Sequence, residues 1–308
     1  MKRCDRLMLL IFGTLFLLTP QILAHPTITG ETGLFSIISS ETLDQGDYSF
    51  GFYLNNWDRE LGDYEDATDL DITLLSGSFF YGVTSRLEVG VQVGFLDLYS
   101  KEEGESGDYN GSSYMDKIDE SGVGDVHIGV KFNILNAEEK PVGLGVMAFS
   151  KIATADEDKG LGTGETDYGV RFMLSKPLAP MTIHANVGYT VVGEPEGAEW
   201  DDVVDYGVGV NFPNDKDDGN FLQFIGEVAG ANDPDPDLPD YLDLTLGIRY
   251  FFSKQYHERQ QPYRNGWALA AGIRYNVMME FDDCPIGGIL GISFSTPYIP
   301  PPPPPPPQ

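Results

Sequence analysis

Hydrophobic and polar residues alternate along this chain in twelve stretches, separated by segments rich in Gly, Asp or Pro. The clearest sets Leu87, Val89, Val91, Val93 and Phe95 against Glu88, Gly90, Gln92 and Gly94. A period of two places these sets on opposite faces of a strand. The same reading gives strands from about Asp47 to Trp57, Asp69 to Tyr81, Val126 to Ile134, Val142 to Ile152, Tyr168 to Leu174 and Ile183 to Val191. Further stretches run near Val204 to Phe212, Phe221 to Ala229, Leu242 to Phe252, Trp267 to Tyr275 and Ile286 to Phe294. In the second, Leu70, Ile72 and Leu74 set the apolar phase; in the fifth, Met147 and Phe149 fall on the polar phase.

Each stretch holds about 9 to 12 residues, enough for a tilted strand to cross a bilayer. A soluble sandwich and a membrane barrel share this alternation, and differ in which face meets the surroundings. Three features favour the barrel. The strand count is even, a leader precedes the strands, and aromatics gather at strand ends. Tyr48, Phe212, Phe252 and Trp267 would mark one membrane boundary, and Trp57, Tyr168, Tyr206 and Tyr275 the other. Glycines 90, 94, 129, 169, 188, 207, 209, 247 and 272 fall on the polar face, where small residues permit curvature and leave space. The predicted fold is therefore all-β: an antiparallel up-and-down transmembrane barrel of about twelve strands.

Residues 1–24 read as a signal peptide: Lys2, Arg3 and Arg6 begin it, Leu7 to Leu18 form an apolar centre, and Ile22-Leu23-Ala24 offers a cleavage site. Residues 25–45 form an N-terminal segment, periplasmic or within the lumen, 46–295 the barrel, and 296–308 a proline-rich tail. The mature chain would keep one cysteine, Cys284, hence no internal disulfide.

The formal charge of -29 excludes nucleic-acid binding by phosphate neutralisation; without the leader's net +2 it becomes -31. Acidic residues concentrate in the connections after odd-numbered strands, as in Glu102, Glu103, Glu105 and Asp108, or Asp233, Asp235 and Asp237. Basic residues such as Arg86, Lys140, Lys176 and Lys216 lie in connections after even ones, which are mostly shorter. Periplasmic turns are usually short and external loops long, so both termini are expected in the periplasm.

The polar phase projects Glu88, Asp125, His127, Lys131, Asp167, Arg171, His184, Asp205, Glu227, Asp243, Arg249 and Arg274 into the lumen as candidate pore-lining residues. Charges of both signs in a confined interior can pair across it or line a watery passage. No G-x-S-x-G elbow and no paired-histidine metal motif is present. His127 and Asp125 share a face, with no nucleophile spaced to join them. The reading is non-enzymatic, with no catalytic residues, metal or cofactor. The Asp233-Pro234-Asp235-Pro236-Asp237 run lacks the glycine and distal glutamate of an EF-type loop, and reads as a stiff acidic loop.

A barrel followed by the prolines at 300–307 resembles the OmpA-type arrangement of barrel and Pro-rich hinge, with the peptidoglycan-binding domain absent. The opening Thr29-Gly30-Glu31-Thr32-Gly33-Leu34-Phe35, and Tyr81-Gly82-Val83-Thr84-Ser85-Arg86 further on, are similar to the start of a broad group of bacterial outer-membrane barrels. That likeness spans most of residues 29–295. Phe294 closes the last strand, as an aromatic does in barrel-assembly signals, though the glycine spacing departs from that pattern. The resemblance implies an outer-membrane location and contact with lipid, lipopolysaccharide and the barrel-assembly machinery, with peptidoglycan reached through the tail. Taken with the polar lumen, the reading of function is a narrow polar channel for small solutes; the alternatives are an envelope-stabilising OmpA-like barrel of little conductance and, more remotely, a hydrolase at the outer rim.

Overall fold

A computed structural model describes residues 25–61, 68–100, 107–109, 112–114, 118–137, 140–195, 199–214, 221–236, 240–254, 263–278 and 286–296. Residues 1–24, expected as a signal peptide, Cys284 and the proline run lie outside these residues. The alternating stretches become strands: β1 (Tyr48–Leu61), β2 (Thr68–Thr84), β3 (Leu87–Ser100), β4 (Gly107–Tyr109), β5 (Ser112–Tyr114), β6 (Asp119–Val123), β7 (Val126–Leu135) and β8 (Gly143–Ile152). They continue as β9 (Asp167–Leu178), β10 (Met181–Val191), β11 (Val203–Phe212), β12 (Leu222–Ala231), β13 (Tyr241–Lys254), β14 (Tyr263–Asn276) and β15 (Ile286–Ser295). The strands β4 and β5 make a separate hairpin. β6 and β7 both pair with β3 and form one stave, interrupted at Gly124-Asp125. This leaves twelve staves.

All neighbouring staves are antiparallel, and each pairs with the next in sequence. The ring closes where β1 pairs with β15, from Ser49 opposite Ser295 to Asn56 opposite Gly288. Closure satisfies every stave edge, which a strand needs if no water is available to its backbone. The sidedness is that of a membrane protein. Phe52, Phe95, Phe172, Val208, Leu246, Ile273 and Leu290 all point outward and are exposed. In water so broad an apolar girdle would be severely unfavourable; in lipid it is solvated. The fold is a transmembrane β-barrel.

At the end carrying both termini, outward rings cluster: Phe50 stacks on Phe294, Trp267 meets both edge-on, and Tyr48 stacks on Phe79 and Phe294. Phe212 is exposed on the same rim, and Phe252 is half-buried against Tyr250. At the opposite, loop end, Tyr168 and Tyr206 are exposed and Tyr275 is half-buried.

Three expectations change. Leu70 and Ile72 point inward, and with Leu98, Ile118 and Leu161 form a buried apolar layer inside the loop end. The outward phase of β2 is instead Leu75, Phe79 and Tyr81. Apolar alternation alone does not say which face is lipid when a stave rises past the membrane and its lumen side packs on loops. Trp57, expected at the outer boundary, packs against that same inner layer, because it shares the inward phase of Tyr53 and Asn55. Finally, β9 continues through Pro177 to Leu178, in what reads from sequence as a turn. Pro177 lies beyond Ser175, the last residue paired with β8, so its missing N–H costs no ladder bond on that side.

Candidate functional site

The lumen divides into two zones. In the half nearer the termini it is filled by residues 25–43, folded as two successive tight hairpins marked by the bridges Pro26–Thr32 and Gly33–Ile38. Phe35 at the tip of the second hairpin and Ile38 at its base are fully buried. Glycines on the wall make this fit possible. A Cβ at Gly247 would lie 2.6 Å from the Phe35 ring, and one at Gly209 only 2.7 Å from Leu34. The wall is thus shaped as the negative of this segment.

A hairpin enclosed in this way presents backbone polar groups that must find partners. The wall side chains supply them. Glu227 accepts the N–H groups of Phe35, Ser36 and Ile37 at 2.9 to 3.2 Å, capping the second tip. Asn186 both accepts from Ile38 N–H and donates to Ile38 C=O, each at 2.7 Å. Arg249 donates to Gly33 C=O at 3.1 Å and Leu34 C=O at 2.8 Å. Tyr53 donates to Pro26 C=O and Ser76 to Ile28 C=O. Glu88 accepts from Leu43 N–H and the Thr32 hydroxyl while pairing with Lys131 at 2.8 Å; both charged side chains are 0% exposed.

His184 belongs to the same suture. Ser40 N–H donates to the Ser175 hydroxyl, which lies 2.8 Å from His184 Nδ1, and His184 Nε2 lies 3.1 Å from Asn211 Oδ1. Asn211 Oδ1 can only accept, so Nε2 carries the proton, and Nδ1 of the neutral ring accepts from the Ser175 hydroxyl. The hydroxyl, imidazole and amide form a chain like that of acyl-transfer sites. Here the hydroxyl is engaged by the inserted backbone.

The loop-end half is different. Lys151 sits 2.9 Å from Asp167 and 3.7 Å from Asp125. Asp125, at the break between β6 and β7, also accepts the N–H groups of Thr154 and Ala155, drawing the β8–β9 connection across the mouth. His127 is half-buried, with Gln92 and Lys151 as its cross-strand neighbours. Arg171 donates from Nε to Asp205 at 2.8 Å, its guanidinium 5.2 Å from the Phe149 ring centre. Arg274 Nε lies 3.4 Å from Asp243, its guanidinium 5.9 Å from the Trp57 ring. The charged side chains of these pairs retain 12–21% exposure, in contrast to Glu88 and Lys131.

The twelve candidate residues are therefore gathered in two sets. Glu88, Lys131, His184, Glu227 and Arg249 bind the inserted segment. Asp125, His127, Asp167, Arg171, Asp205, Asp243 and Arg274 ring the lumen above it. Sequence reasoning passed over Asn133, Ser175 and Asn186, whose polar phase marked them as inward. It also passed over Lys151 and Tyr241. Among the described residues no group of three or more potential metal ligands occurs.

Similar folds are known. An outer-membrane channel from Pseudomonas putida F1 matches with a TM-score of 0.57 at 12% identity, over 86% of this chain and 100% of that one. The translocator domain of the autotransporter NalP from Neisseria meningitidis matches at TM-score 0.47 and 9% identity, over 82% of this chain and 90% of that one. The toluene transporter TodX from Pseudomonas putida matches at TM-score 0.40 and 11% identity, over 90% and 96%. Among curated proteins none matches the chain in sequence. The first of these likenesses establishes the fold as that of an outer-membrane β-barrel. The sequence profile of one family matches residues 19–257, well over half of the chain, and the protein belongs to that family, described as "Putative MetA-pathway of phenol degradation".

Proposed function

We propose that this barrel is a passive outer-membrane channel for small solutes, its lumen narrowed on the periplasmic side by residues 25–43. The observation that carries the reading is the contrast inside one lumen: partly exposed ion pairs at the loop end lead to a segment that packing and hydrogen bonds fasten to the wall. A purely structural barrel has no need of a wet zone lined with charge. A segment that adds no stave to the ring can shift without breaking the wall.

In this reading the acidic connections after odd staves face outward and both termini face the periplasm, where the proline tail meets peptidoglycan. The aromatic rims sit at lipid headgroup level and contact lipopolysaccharide on the outer side; the barrel-assembly machinery inserts the chain. The family description names phenol degradation, which directs attention to small aromatic compounds as passengers. Near the mouth, Asp125 and Asp167 outnumber Lys151, so the passage favours cations and neutral molecules over anions.

Planar-bilayer recording tests this. The folded protein should give small, discrete, cation-preferring current steps, and deletion of His25–Leu43 should enlarge them. If neither protein conducts, the channel reading falls, and the envelope-stabilising reading, which the dense packing around Phe35 favours, takes its place.

A further inference from the structure

The β8–β9 connection, residues 153–166, has a wet leg and a dry one. Asp156 to Lys159, which include a single 3-10 turn at Glu157–Lys159, are exposed, whereas Gly160 to Thr163 are buried. Leu161 on the dry leg is 3% exposed and lodges among Leu70, Ile72, Leu98 and Ile118. Its socket lies on β2 and β3, on the far side of the β6–β7 stave from the segment's own roots. Left-handed backbone at Gly160 and Gly164, with φ of 62° and 72°, turns the chain inward and out again. The β8–β9 ladder stops at Lys151 opposite Asp167, so the segment adds no rung to the wall. Side chains fasten it instead. Asp125 accepts the N–H groups of Thr154 and Ala155, Lys151 donates to the Thr163 hydroxyl at 3.0 Å, and the exposed Lys159–Glu120 pair adds little. Within the segment, Gly160 and Leu161 donate their N–H groups to Glu157 and Asp156 C=O, so the turn keeps its shape when the wall contacts part.

We propose that residues 153–166 are a lid that opens and closes the loop-end mouth, with Leu161 as its latch. The inference rests on the channel reading for its effect on current; access to the lumen beneath the lid is a separate measurement. Elements that move are those with few buried contacts and no ladder, and this segment is built that way. Burial of one leucine is non-directional, so the latch can reseat after each opening without exact geometry. Direction comes from Asp125, which stands at the break between β6 and β7 and holds the lid's first two residues by their backbone. The lid is thus hinged at its root and latched at its tip.

A thiol at His127, cross-strand from Lys151 just inside the lid's root, reports access in the folded full chain with Cys284→Ser. A charged methanethiosulfonate should modify His127→Cys about tenfold faster once Leu161→Asp is added, because the apolar socket rejects a carboxylate. Leu161→Met should stay near the parent rate. A thiol placed instead at Ser175, under the inserted segment, should remain unreactive in both backgrounds; reaction there would mean a loosened barrel and overturn the lid. For the lock, a Cβ at Gly122 would lie 2.6 Å from Leu161 Cδ1, so Gly122→Cys with Leu161→Cys can join lid to wall. Planar-bilayer current through that protein should vanish on oxidation and return on reduction. Equal modification rates with and without Leu161→Asp, together with current indifferent to the lock, remove the lid and leave the channel. Faster modification with no current from any variant removes the channel and leaves the lid.

Discussion

Two salt bridges in the same lumen, Glu88–Lys131 and Arg171–Asp205, are both 2.8 Å long, yet they do different work. The first is wholly dry, and Glu88 spends its remaining acceptor capacity on Thr32 and Leu43 of the inserted segment. The second retains contact with water and offers a face to whatever enters. The comparison teaches that an ion pair in a barrel is defined by its surroundings more than by its geometry. Where backbone fills the cavity, charge becomes an attachment point. Where space remains, charge becomes a surface. The cost of disturbing each should differ accordingly, because an isolated dry charge has no solvent to fall back on.

That difference can be tested by urea unfolding of the protein refolded in lipid vesicles, followed by heat-modifiable gel migration. Lys131→Met should be the most damaging change, at about 3–5 kcal/mol, because it strands a buried carboxylate. Adding Glu88→Gln should recover a large part of that loss; if it does not, the charge is not what makes the site sensitive. Glu227→Leu removes the acceptor of three backbone N–H groups and should cost about 2–3 kcal/mol, a desolvation penalty shared over the tip. Gly209→Val pushes into Leu34 and Ile37, and overpacking of this kind costs about 1–3 kcal/mol. Its effect should vanish once residues 25–43 are deleted, and persistence would mean that the strain lies in the wall. Arg274→Gln, in the wet zone, should cost less than about 1 kcal/mol and less still at high salt. A cost near that of Lys131→Met would erase the distinction between the zones.

The barrel was legible because lipid imposes one rule on every stave. Val89, Val91 and Val93 repeat outward with Glu88 and Gln92 inward, and no loop detail changes that. The polar phase of a regular stave, such as that of Asp243 and Arg249, reads in the same way, whereas the stretch that carries Glu227 is ambiguous in phase. What escaped was the purpose of each inward residue. Nothing near Glu227 in sequence shows that its partners are Phe35, Ser36 and Ile37, some 190 positions away. Leu70, Ile72 and Trp57 were misjudged because their apolar side chains serve a loop-covered mouth, and greasiness carries no label for lipid or loop. Residues 25–43 could be placed only by the wall that receives them, through glycines whose emptiness is meaningful once Phe35 is seen to occupy it.

The eight-residue seam between β1 and β15 has a consequence for manufacture. Residues 25–43 precede every stave in translation order, whereas β15 comes last. The container is thus completed by its final plank around cargo loaded first, unless that cargo threads a finished ring. Assembly and filling are one event in the former case and two in the latter, so the seam is where the timing of this protein's birth is recorded.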